Sequence, residues 1–259
     1  MQADFVLDYD VITVEQAHKL YLMARLNSGP APGDERRRPV NISLVIDRSG
    51  SMAGEKLDYT KQAAQFLVQN LGARDILSIV LYNDKVETLL YPETVQRKDA
   101  ISHRLEGIKA SGTTNLSGGW LEGCNLVAQK YEENRVNRVI LMSDGLANRG
   151  ITDQGKLVGL AQQKLAEGIS TTTMGLGKDF NEDLMMAISN AGGGAFYFIE
   201  SPEVTPTIFH EELQGLLSLI GQNLVISLEM LGHITTVNQL NAYQVHTDGK
   251  RISYRLGDI

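Results

Sequence analysis

The chain has 259 residues, 42% of them hydrophobic and 21% charged, the composition of an ordinary globular protein with room for a full core. A formal net charge of −7 argues against nucleic acid or an anionic membrane surface as the main partner. One cysteine, Cys124, excludes an internal disulfide framework, and no stretch is long and apolar enough to span a membrane.

The N-terminus carries Asp4, Asp8 and Asp10 and lacks the basic-then-apolar order of a signal peptide. A cytoplasmic location is therefore the expectation, and an extracellular one if export signals lie outside this chain. Residues 4–12 and 17–26 alternate apolar and polar side chains, which predicts half-buried antiparallel strands. The stretch 27–34, rich in Gly and Pro, is a loop. Arg36-Arg37-Arg38, following Asp34-Glu35, reads as a solvated linker.

From about Val40 the pattern changes. Apolar strands at 40–46, 76–82, 137–143, 169–176 and 195–199 alternate with helical periodicity at 54–71, 117–132, 153–167, 181–190 and 203–220. Strands separated by helices of this length imply an α/β fold: a doubly wound, mostly parallel sheet with helices on both faces. A short strand at 85–91, after the turn Asn83-Asp84, is expected to pair antiparallel at an edge. Cys124 falls on the helical stripe Trp120, Cys124, Val127, Tyr131, as a buried structural thiol does. After Gln222 the period returns to two, at 224–230 and 251–256. These strands are expected to pair with the N-terminal ones in a small discontinuous antiparallel β module. The predicted organisation is an N-terminal β segment at 1–35, a central domain at 36–221 and a C-terminal β segment at 222–259. The end at Gly257-Asp258-Ile259, directly after a strand, reads as a truncation.

The chemistry concentrates where strands end. Asp47-Arg48-Ser49-Gly50-Ser51 follows the first apolar strand and offers three oxygens at alternate positions. Thr114 follows Ser111-Gly112-Thr113, and Asp144, before Gly145, follows the strand through Ser143. Ligands of open α/β sheets bind at such carboxyl ends, where loops converge. Hard cations such as Mg²⁺ take oxygen ligands and keep some water. Taken singly, each element also reads as a helix cap or a turn.

Together, D-x-S-x-S, then Thr114, then Asp144-Gly145 resemble the metal-ion-dependent adhesion site of von Willebrand factor A-type domains. The family's Gly-Gly-Thr-Asn pattern stands here as Gly112-Thr113-Thr114-Asn115, with Thr113 at the second glycine. The resemblance covers about residues 39–220. It implies that Ser49, Ser51 and Thr114 bind the ion directly, with Asp47 and Asp144 acting largely through water. It also implies Mg²⁺ as the ion, with Mn²⁺ or Ca²⁺ as alternatives, and a protein partner that presents a Glu or Asp. The flanking β segments resemble those of bacterial relatives and of the inter-alpha-trypsin-inhibitor-like group. In family members that switch, the last helix shifts; the matching stripe here is Val204, Ile208, Leu216 and Ile220.

Rival chemistries fit less well. A phosphatase of the haloacid dehalogenase type needs a second carboxylate two residues after its nucleophile, and Ser49 stands there. No P-loop lysine motif or G-x-S-x-G elbow occurs. Met174-Gly175-Leu176-Gly177 lacks the third glycine of a dinucleotide fingerprint, since Phe180 stands there. The five histidines have no metal-binding spacing, and Gly192-Gly193-Gly194 reads as a tight turn. The expected function is therefore non-enzymatic, metal-dependent protein binding. The alternative is a regulatory or scaffold subunit of a bacterial complex with an ATPase or kinase.

Overall fold

The computed structural model describes residues 2–13, 16–27, 37–145, 147–177, 180–201, 204–218, 224–232, 234–241 and 243–257. Two short strands come first, β1 (Gln2–Leu7) and β2 (Leu22–Asn27). The central strands are β3 (Val40–Asp47), β4 (Ile76–Tyr82), β5 (Val86–Thr94), β6 (Val136–Ser143), β7 (Ser170–Leu176) and β8 (Gly193–Ile199). Among the described residues they form one six-stranded sheet in the order β5-β4-β3-β6-β7-β8. All neighbours run parallel except β5, which pairs antiparallel with β4 at the edge, as its hairpin turn requires. Every residue of β3, β4, β6 and β7 is buried. Burial on both faces explains their near-continuous apolar runs.

Two half-cores flank the sheet. On one face, α1 (Glu55–Asn70), α2 (Lys98–Glu106) and α6 (Thr205–Ser218) bring Leu57, Leu67, Leu105, Phe209 and Leu213 against Ile42, Leu44 and Ile46. On the other, α3 (Leu116–Gln129), α4 (Gln154–Ala166) and α5 (Glu182–Ala191) bring Trp120, Leu157 and Ile188 against Val45, Val80 and Leu141. Helix α3 lies unusually close to the sheet. A Cβ at Gly123 would overlap the Val45 side chain, and one at Gly119 the Tyr82 ring. Trp120 is fully buried, and its indole N–H donates to the Thr171 hydroxyl at 3.1 Å. Cys124 is buried too, and its desolvated thiol is pushed up to about 12. No described helix is long and apolar enough to cross a membrane.

Several expectations change. Helix α2 was not foreseen, because its short turn buries only Ile101 and Leu105. Gly193 and Gly194 lie inside β8 rather than in a turn, and a Cβ at Gly194 would collide with the Thr171 backbone. Of the expected stripe on α6, Ile208 and Leu216 pack on the core beside the buried Phe209, Glu212 and Leu213, while Val204, just before the helix, is 40% exposed; Ile220 lies outside the described residues. At the termini, β1 pairs with β2, while β9 (Leu224–Glu229), β10 (Gln244–Asp248) and β11 (Arg251–Gly257) form a second antiparallel sheet. Among the described residues no strand pairing joins the two sets, so they are two small sheets rather than one shared ladder. Strands β1 and β2 are exposed along most of their length, and β9 alternates half-buried with exposed residues.

The amino edge of the sheet is pinned electrostatically. Arg37 is no solvated linker residue, since its guanidinium forks onto Asp75 at 2.9 and 2.7 Å. The same carboxylate accepts from the amides of Val40 at 3.0 Å and Gly72 at 2.6 Å. Burial pushes the Asp75 carboxyl up, but Arg37 and the two amides outweigh it and hold it below 3.8. On the α6 side, Glu212 is buried and accepts from Thr172 at 2.6 Å and from Arg138 at 3.4 Å, tying the last helix to β6 and β7.

A carboxylate held below its unfolded value stabilises the fold fully above that value and loses the effect as pH falls through the folded one. Asp75→Asn is therefore expected to cost about 2 kcal/mol at neutral pH and clearly less near pH 3. Urea unfolding across that range checks it, and a constant cost would contradict the linkage. Glu212→Ala removes a buried carboxylate that accepts from both Thr172 and Arg138, and is expected to cost about 3 kcal/mol in the same assay.

Candidate metal centre

Strand parity delivers the first carboxylate. Ile42, Leu44 and Ile46 of β3 face α1, α2 and α6, so Asp47 belongs with Val45 on the α3 side, at the strand's carboxyl end. Asp47 is fully buried; its Oδ1 accepts from the Ser49 amide at 2.8 Å and its Oδ2 from the Ser143 hydroxyl at 2.7 Å. Ser143 in turn accepts from the Gly145 amide at 2.9 Å. Burial pushes the Asp47 carboxyl up against these hydrogen bonds, and the charge of Asp144 adds to the rise. Tyr82, paired with Asp47 in register, is also fully buried. Desolvation and the Asp47 charge push its phenol well above the ordinary value.

After Asp47 the chain turns through one 3-10 turn, Gly50–Met52, before Gly54 leads into α1. This turn sets the hydroxyls of Ser49 and Ser51 3.1 Å apart. Ser49 is buried and Ser51 exposed, so the centre meets solvent at Ser51.

The Thr114 loop is docked on this turn by main chain. The Gly50 amide donates to Gly112 O at 2.9 Å, and the Ser111 amide to Arg48 O at 2.8 Å. Gly112 has φ +76°, a conformation that disfavours a side chain, and a Cβ there would collide with Asp84. Asn83 holds the loop from behind by donating to Ser111 O at 2.9 Å. Thr114 is buried; its amide donates to Asn148 Oδ1 at 2.8 Å, and its carbonyl accepts from the amides of Asn148 and Arg149. Asn115 caps α3 by accepting from the Gly118 amide.

Asp144 lies just past β6, fully buried, and its carbonyl accepts from the Asn181 amide at 3.0 Å. Its Oδ2 lies 3.4 Å from Lys56 Nζ on α1. The sequence reading missed Lys56, Ser143 and Asn148. Ser143 had a local signal, its place directly before Asp144; the other two lie far along the chain from what they hold.

Two buried carboxylates thus lie at neighbouring strand ends, and Ser49, Ser51 and Thr114 sit on two loops that are hydrogen-bonded to each other. Among the described residues no group of three or more His, Cys, Asp and Glu could hold a metal. The donor set is oxygen alone, which suits a hard divalent cation and not a thiolate- or imidazole-seeking one. The two buried acids would supply compensating charge for such an ion.

The family model for the von Willebrand factor type A domain matches residues 41–211. The protein sll0103 of Synechocystis sp. is 28% identical over 238 residues, 88% of this chain and 56% of that protein. Human inter-alpha-trypsin inhibitor heavy chain H3 is 26% identical over 264 residues, 97% of this chain and 29% of that one. The chain therefore spans only part of the length of these relatives. Among solved structures, the von Willebrand factor type A protein from Catenulispora acidiphila superposes with a TM-score of 0.72 at 14% identity, covering 99% of this chain and 58% of that one. Proximal thread matrix protein 1 of the mussel byssus, solved with a zinc-occupied MIDAS motif, gives a TM-score of 0.57 at 19% identity, with coverages of 74% and 49%. At these identities the solved structures speak to the fold alone. Von Willebrand factor type A domains mediate protein–protein interaction, often through a divalent metal. With the family model spanning most of the central sheet and its helices, this chain belongs to the von Willebrand factor type A domain family.

Proposed function

We propose that this chain is a divalent-cation-dependent protein-binding module whose partner presents a glutamate or aspartate. The observation that carries this reading is the pair of buried carboxylates, Asp47 and Asp144, beside hydroxyls that reach solvent at Ser51. Ser49, Ser51 and Thr114 would hold the ion directly, and Asp47 and Asp144 would balance its charge, largely through water. Mg²⁺ is the proposed ion, with Mn²⁺ or Ca²⁺ as alternatives. When bound, it supplies an electrophilic position for an incoming carboxylate. Neutral hydroxyls as direct ligands leave that electrophilicity little quenched, which favours an anionic partner.

The residues of the chain do the rest. Ser143 and the Ser49 amide orient Asp47, and the Gly50–Gly112 hydrogen bond keeps the two ligand-bearing loops in step. Ser49 stands where a phosphatase of similar topology has its second carboxylate, so Asp47 lacks the acid–base partner that such an enzyme uses. The module is accordingly proposed to dock and not to turn over a substrate.

Replacing Ser49 and Ser51 together by alanine is expected to weaken Mg²⁺ binding by at least about tenfold, on the loss of two ligands. Calorimetric titration checks this, with circular dichroism to show that the fold persists. Partner capture from lysate should fail in excess chelator, and a partner that stays bound there would overturn the metal bridge. Asp47→Asn removes a buried charge that the metal-free fold disfavours. It is expected to raise the unfolding midpoint in chelator while abolishing the rise that Mg²⁺ produces in the wild type. A lower midpoint in chelator would show that the charge of Asp47 serves the fold itself.

A further inference from the structure

Lys56 stands apart from the proposed ligand set yet touches it. It lies in the first turn of α1, with a side chain 24% exposed, and its Nζ is 3.4 Å from Oδ2 of the fully buried Asp144. Its stem is enclosed. Gly177, just past β7, has φ +78°, and a Cβ there would overlap Lys56 Cε. The Gly177 amide donates to Ile199 O at 3.3 Å, anchoring this turn to β8. The ammonium therefore reaches Asp144 through a slot that only a glycine leaves open, and does not sweep freely over the surface.

The charge of this ammonium gives the contact its meaning. Held 3.4 Å from a carboxylate of the centre, it repels an incoming divalent cation and attracts a carboxylate that the loaded centre takes up. The same ammonium thus opposes the cation and favours the anion that follows it.

We propose that Lys56 sets the charge of this centre, weakening its hold on the divalent cation and strengthening the loaded centre's hold on an acidic ligand. The proposal rests on the metal reading above. Loading with metal and loading with partner become coupled: the ion is held loosely alone and firmly once a carboxylate arrives.

The test uses Mn²⁺ on the whole chain at low salt, with Lys56→Met to keep the stem without its charge and Lys56→Arg to keep the charge. Electron paramagnetic resonance counts free Mn²⁺, and water-proton relaxation of the Mn²⁺-saturated protein follows displacement by acetate. Lys56→Met is expected to bind Mn²⁺ about tenfold more tightly and acetate about tenfold more weakly, while Lys56→Arg stays near wild type in both. Should Lys56→Met fail to fold by circular dichroism, Lys56→Gln carries the same expectation. An Mn²⁺ affinity that is unchanged or weaker without the charge overturns the proposal. So does an acetate affinity that does not fall. If the wild type binds no Mn²⁺, the metal reading fails and takes this proposal with it; if it binds Mn²⁺ and only the variants misbehave, the role of Lys56 alone is lost.

Discussion

The hydrogen bond from Ser143 to Asp47, 2.7 Å long at the ends of two neighbouring parallel strands, is the contact on which the candidate centre depends. Parallel pairing of β3 with β6 brings Asp47 and the residue after Ser143, Asp144, to one edge of the sheet, both out of water. Burial, with the charge of Asp144 beside it, raises the cost of ionising Asp47. The fold meets this constraint with short-range donors: a serine hydroxyl and an amide on Asp47, and a lysine on Asp144.

The loops that carry the hydroxyls are held by rigid elements, as a binding constellation requires. The Asp47–Ser51 turn starts from a strand buried on both faces and ends on α1. Gly50 and Gly112 join it to the Thr114 loop through the main chain, so loop spacing does not depend on side-chain rotamers. Glycines at 119 and 123 let α3 sink onto β3 and β4, which brings the loop before that helix down to the strand end. Far from the site, the Arg37–Asp75 fork fixes where β3 begins, and with it the register in which Asp47 emerges. At the other end of the topology, Glu212 anchors α6 through a buried polar contact that any shift of that helix would have to break.

Legibility in the sequence followed the range of each interaction. Asp47, Ser49 and Ser51 share one loop, so their alternation could be read directly. Thr114 and Asp144 could be read because a strand-helix alternation places strand ends at one edge. The edge strand β5 was legible from the Asn83-Asp84 turn, and the buried thiol of Cys124 from its place on a helical stripe. Arg37 was misread because a basic run looks solvated until Asp75, distant in sequence, is folded against it. Val204 was assigned to the buried stripe of α6, yet the helix turns Phe209, Glu212 and Leu213 inward instead. The polar contacts of Glu212 with Arg138 and Thr172 help set that rotation, and a stripe of apolar letters does not record them. The terminal strands showed their period of two but not their partners, because alternation states which face is apolar and leaves open which strand completes the ladder.

By itself, then, the amino-acid sequence determined the alternation of the central strands with their main helices, the doubly wound sheet and the oxygen-bearing positions at its carboxyl edge, but not α2 or β10. These follow from local periodicity and short-range spacing, which need no knowledge of the fold. Only the tertiary structure decided that Ser143 orients Asp47, that Gly112 carries the Thr114 loop onto Gly50, and that Lys56 reaches Asp144. Each of these joins segments distant in the chain, and their meeting depends on strand register, helix rotation and the clearance left by a missing Cβ. The physical reason is range: composition and period act along the chain, whereas the charge of a binding centre is summed in space.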